Sequence, residues 1–128
     1  MPVIRQATLT VPGWPAREAP IRAVLLADIH LGGIDMTASR FSAIVDSVNR
    51  LRPDVIVIAG DFVTNWAADR QDIGVVASQI KRLHSRFGTV AVLGNHDNWN
   101  DVALLRQSLA QAGVGLVDNG AVRRGPLI

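Results

Sequence analysis

Three short apolar runs constrain this chain more than any other feature: residues 22–27 (RAVLLA), 55–59 (VIVIA) and 89–93 (TVAVL). None alternates apolar with polar residues. Each therefore reads as a strand of a parallel sheet buried on both faces. Each also ends abruptly in a polar cluster: Asp28-Ile29-His30, then Gly60-Asp61, then Gly94-Asn95-His96-Asp97.

Between the runs the apolar period changes from continuous to helical. Phe41, Ile44, Val45, Val48 and Leu51 fall on one face of a helix over residues 39–51, with Ser39 or Thr37 as N-cap and Pro53 as its stop. Ile73, Val76, Ile80 and Leu83 define a second helix over 69–86, which would carry His84 as a surface histidine. Val102, Leu105 and Leu109 define a third over 101–112, closed by Gly113. Residues 114–117 follow as a fourth strand, and 121–123 begin a fifth. At the start of the chain, residues 3–11 (VIRQATLTV) have the β-branched content of an edge strand, and Trp14 is expected to cover one end of the core. Strand–helix alternation of this kind gives an α/β fold: a mostly parallel sheet, right-handed crossovers and helices on its faces.

Composition narrows the function. With 48% hydrophobic and 19% charged residues, 128 residues can fill one core as one domain, without a linker or internal boundary. The absence of cysteine excludes disulfides, thiolate metal sites and cysteine nucleophiles. Thirteen basic residues stand against 11 acidic ones with no basic cluster, so nucleic acid is not an expected partner. No apolar run approaches the ~20 residues of a membrane span, and the first 20 residues lack the apolar block of a signal peptide. These features point to a cytoplasmic protein, compatible with peripheral attachment at a membrane.

In an open parallel sheet ligands bind beyond the carboxyl ends of the strands. Parallel neighbours bring the three polar clusters to one edge. Asp28 and His30, two residues apart, point to the same side of an extended segment and form a chelating pair for a divalent metal. Asp61 has two carboxylate oxygens and follows a glycine that lets the backbone approach a ligand closely. Asn95 offers a neutral amide oxygen, and His96 beside it is suited to proton transfer. Taken singly each is also a common turn or loop residue; three successive strand ends on one edge make the metal site the stronger reading. Trp66 and Trp99, each a few residues past a cluster, pack against loops or wall a substrate cleft.

The blocks D-x-H (Asp28, His30), G-D (Gly60, Asp61) and G-N-H-D (Gly94, Asn95, His96, Asp97), each after a hydrophobic strand, resemble the calcineurin-like metallophosphoesterases. The flanking text ADIHLGG, RPDVIVIAGDFV and VAVLGNHDNW looks most like bacterial small phosphodiesterases and phosphohydrolases. The resemblance implies a four-layer α/β-β/α sandwich and two divalent ions of the Mn, Fe or Zn type. Asp28 and His30 would hold the first ion, Asp61 would bridge the two, and Asn95 would hold the second. A hydroxide activated by both ions would attack phosphorus, and His96 would protonate the leaving oxygen, with Asp97 as possible support. The family's later histidine blocks, including a G-H-x-H segment, are absent: of three histidines, two lie in the blocks above and the third is His84. Residues 1–128 thus read as the N-terminal part of a metallophosphoesterase domain. The chain would act on a phosphate ester and need the missing half, or self-association, to complete it. Two alternatives belong to other classes: a non-catalytic metal-binding half needing a partner chain, and a receiver-like signalling domain. The second lacks the acidic pair and strand-end lysine that a receiver requires.

Overall fold

The computed structural model describes residues 2–64 and 70–127. It contains β1 (Ala23–Leu26), α1 (Ala38–Arg50), β2 (Val55–Ala59), α2 (Arg70–Ile80), β3 (Thr89–Val92), a 3-10 turn (Asp97–Trp99), α3 (Val102–Gln111) and β4 (Val114–Leu116). All strand pairs in the four-stranded sheet are parallel, and their spatial order is the chain order, β1-β2-β3-β4.

That order places the helices. A right-handed crossover that always moves in one direction across the sheet leaves every helix on the same side. Accordingly α1 packs on α2 and α2 on α3. Phe41, Val45 and Val48 of α1, Ile73, Val76 and Ile80 of α2, and Leu105 and Leu109 of α3 share one core with Ile56, Ile58, Ala91 and Val114 of the sheet. The helices occupy one face only.

The opposite face corrects the expectation of strands buried on both sides. In β1 the residues alternate between exposed and half-buried, and Leu25 is 67% exposed. Val92 on β3 is 45% exposed. The physical reason is that, among the described residues, no helix crosses on this side. Instead the segment after β4 folds partly over it, so that Val117, Val122 and Leu127 line a groove of about 370 Å³ with Val55, Val57 and Val90. This segment forms no fifth strand; its ladder contact is a single antiparallel bridge between Arg124 and Leu127. Residues 3–11 form no edge strand either, and Val3 and Leu9 are among the most exposed apolar side chains. Trp14 is half-buried outside the core, its indole N–H donating to the Glu18 carbonyl at 3.2 Å.

Local chemistry sets the helix ends. The Thr37 hydroxyl accepts from Arg40 N at 3.2 Å and caps α1. The Asp101 carboxylate accepts from Leu104 N at 3.0 Å and caps α3. α2 stops at Ile80, short of the expected 86, because Asn49 on α1 captures its exit: Asn49 Nδ2 donates to the Arg82 carbonyl at 2.8 Å, and its Oδ1 accepts from His84 N at 2.9 Å. His84 is exposed, as expected, but on this loop rather than on the helix.

A candidate metal centre at the carboxyl ends of the strands

The polypeptide continues parallel pairing past the ends of β1 and β2. His30 N donates to the Asp61 carbonyl at 2.9 Å, Leu31 N to Phe62 O at 3.0 Å and Thr64 N to Leu31 O at 3.1 Å. The first two polar clusters are thereby laid side by side. Asp28, His30 and Asp61 all have left-handed backbone, with φ of 52°, 48° and 54°. A non-glycine residue adopts that conformation at a cost, and such residues concentrate at functional sites. The Asp28–His30 segment is thus kinked, not extended as the sequence reading assumed. The kinks still bring the pair together, with His30 Nε2 3.9 Å from Asp28 Oδ1.

His30 Nε2 also lies 3.7 Å from Asp61 Oδ2. The third cluster joins through His96, whose ring packs edge-on against His30 at 4.7 Å between centroids. One possible ligand atom from each of His30, Asp61 and His96 lies within 4.8 Å of the others. Donor atoms about 2.0–2.2 Å from a common ion stand about 3–4 Å apart. Small side-chain rotations close the gap, so this nitrogen- and oxygen-rich group fits a divalent transition ion. Asp28 flanks it with its side chain 72% exposed, and Asn95 is exposed on the turn just before His96.

Hydrogen bonds fix the orientation of the inner residues. His96 N donates to Asp61 Oδ1 at 3.0 Å, leaving Oδ2 toward His30. His96 Nδ1 lies 2.7 Å from the Thr64 carbonyl, which only an Nδ1–H can satisfy. Nε2 is then the nitrogen free for chemistry. Asn100 Nδ2 donates to the His96 carbonyl at 2.8 Å.

Asp97 is fully buried. Its Oδ2 accepts from Asp61 N and Gly94 N, both at 2.8 Å, and its Oδ1 from Phe62 N at 2.8 Å and, more weakly, Val63 N at 3.4 Å. One carboxylate thus ties the loop after β2 to the turn after β3. Burial pushes its carboxyl above the usual aspartate range, and the four amide hydrogen bonds act in the opposite sense. Gly60 and Gly94 let the two loops approach: a Cβ on Gly60, whose φ is +80°, would lie 2.5 Å from Gly94 N, and one on Gly94 would run into the Asp61 carboxylate. Trp99, 54% exposed, lies against His96 with 4.6 Å between ring centroids. Trp66 lies outside the described residues.

The sequence pattern of the calcineurin-like phosphoesterases matches residues 21–122. This chain belongs to that family. The match spans the sheet, the helices and every residue of the metal group. Among curated metallophosphoesterases, a Danio rerio protein named "Transmembrane protein with metallophosphoesterase domain" is 37% identical over 97 residues, 75% of this chain and 21% of that protein. The Bacillus subtilis metallophosphoesterase YkuE is 28% identical over 92 residues, 72% of this chain and 32% of the relative. A solved structure titled as a Pseudomonas putida nuclease MPE is 26% identical, with 88% of this chain and 53% of the other covered and a TM-score of 0.47. The chain spans about a fifth of the zebrafish metallophosphoesterase and a third of the bacterial one. Metallophosphoesterases are metal-dependent hydrolases of phosphoester bonds, and His30, Asp61 and His96 form a group in this member where a metal can be held. No helix among the described residues is long and apolar enough to cross a membrane.

Proposed function

We propose that the chain carries the N-terminal part of a phosphoesterase site, in which Asp28, His30, Asp61 and Asn95 hold divalent ions and His96 acts on the leaving group. The observation that carries this reading is that His30 Nε2 lies 3.7 Å from Asp61 Oδ2 and 3.9 Å from Asp28 Oδ1, with the His96 ring against His30 at the end of a third strand. Divalent ions bound there supply Lewis-acid stabilisation of the phosphoryl oxygens and a water that is nucleophilic near neutral pH.

The residues have separate tasks. Asp61 would be the shared carboxylate: its backbone is locked by Asp97, and its Oδ1 is steadied by the His96 amide. His30 and Asp28 would complete the shell of one ion, and Asn95 would offer its amide oxygen to the other. His96 keeps its Nδ1 proton on the Thr64 carbonyl, so Nε2 is the atom that, when the ring carries its second proton, would give it to the departing oxygen. A second ion would draw fewer donors from this chain than the first, namely Asp61 and Asn95. Further ligands and a second sheet, laid on the face where Leu25 and Val92 are exposed, would come from additional polypeptide.

Calorimetric titration with Mn²⁺, combined with hydrolysis of bis-(p-nitrophenyl) phosphate, tests the assignment. Asp61→Ala should abolish metal binding, and Asn95→Ala should weaken it less. His96→Ala should leave it nearly intact while removing hydrolysis. Equal loss of Mn²⁺ binding in Asp61→Ala and His96→Ala would place His96 among the ligands and overturn its role as proton donor.

A further inference from the structure

Trp99 is a large aromatic side chain that the fold does not use. It is 54% exposed and stands outside the hydrophobic core, yet it is held in place. It ends a 3-10 turn in which Trp99 N donates to the His96 carbonyl and Asn100 N to the Asp97 carbonyl, both at 3.2 Å. Asn98 Nδ2 donates to the Gly94 carbonyl at 2.9 Å on the same turn. A rigid backbone therefore presents an exposed indole beside the candidate metal centre. Two ring contacts share His96: His30 packs against it at 4.7 Å and Trp99 at 4.6 Å.

From this exposed indole packed on His96 we infer that Trp99 is a specificity-determining residue: it supports the leaving group and favours phosphoesters whose leaving group carries a planar ring close to the ester oxygen. The inference rests on the phosphoesterase reading above. If His96 Nε2 meets the departing oxygen, the group attached to that oxygen lies near His96, within reach of the exposed indole packed against that ring. A flat ring there gains an offset or edge-on aromatic contact, whereas a short alkyl group gains little.

The test uses non-hydrolysable mimics, phenylphosphonate and ethylphosphonate, titrated into the Mn²⁺-loaded chain alongside inorganic phosphate. Phenylphosphonate should bind roughly 3- to 10-fold tighter than ethylphosphonate. Trp99→Phe should keep this preference, and Trp99→Ala and Trp99→Leu should lose it, while Mn²⁺ and inorganic phosphate bind all variants as they bind the parent. A parent chain without the preference, or a preference that survives in Trp99→Ala, would overturn the inference and leave the phosphoesterase reading standing. Loss of inorganic phosphate binding in Trp99→Ala would also overturn it, by showing that Trp99 only props His96. Absence of any Mn²⁺-dependent phosphate binding in the parent would remove the phosphoesterase reading itself, and this inference with it.

Discussion

Asp97 Oδ2 accepts the backbone N–H of Asp61 at 2.8 Å, so a buried carboxylate outside the candidate metal group sets the position of the carboxylate at the centre of the site. The same oxygen holds Gly94 N, and its neighbour holds Phe62 N. Strained backbone at Asp61 persists because it is tied from two directions, by Asp97 and by the ladder contact to His30.

Asp97→Asn should therefore destabilise the fold although it preserves volume. An amide retains one acceptor oxygen and turns an NH₂ group toward N–H donors that the second oxygen had satisfied. The expected loss is about 2–4 kcal/mol, read from urea unfolding, with weaker Mn²⁺ binding alongside. An unchanged unfolding midpoint would show that the clamp contributes nothing.

The glycines divide by position. Gly60→Ala and Gly94→Ala should both abolish Mn²⁺ binding and lower the melting temperature, because either methyl group forces the two site loops apart. Gly74→Ala, on α2 with open space around its Cα, should stabilise the chain by up to about 1 kcal/mol and leave metal binding unchanged. Thermal unfolding of the three variants side by side checks the contrast.

The uncovered sheet face should make the 128-residue chain self-associate on its own. Replacing Leu25 and Val92 together by lysine should shift the population toward monomer in sedimentation velocity, with the metal site unaffected since both side chains sit on the face away from the core. A chain that is already monomeric would mean that residues 117–127 cover that face well enough.

The isolated chain should also bind one Mn²⁺ weakly and turn over a nitrophenyl phosphodiester poorly, because in the proposed site a second ion would have only Asp61 and Asn95 to hold it. Polypeptide that supplies further imidazoles, fused or added separately, should raise the rate, and Asp61→Ala should cancel the gain. Two tightly bound ions and turnover of roughly 1 per second or more by the chain alone would contradict this expectation.

The sequence by itself determined the elements and the edge on which the site lies. Continuous apolar runs alternating with helical stretches read as parallel strands, helical periodicity fixes the faces of α1, α2 and α3, and parallel neighbours must deliver Asp28, His30, Asp61 and His96 to one end. Those are consequences of local pattern and strand direction, which a single chain carries in full. The tertiary structure decided three things that local pattern does not encode. Strand order put all helices on one face and left Leu25 and Val92 exposed, because the side taken by a crossover depends on the direction in which the sheet grows. Left-handed backbone, not an extended strand, brought Asp28 and His30 together. Asp97, adjacent to His96 in sequence, turned inward to the amides of residues 61–63, because those N–H groups, buried by the meeting of two loops, needed an acceptor that only the folded chain could supply.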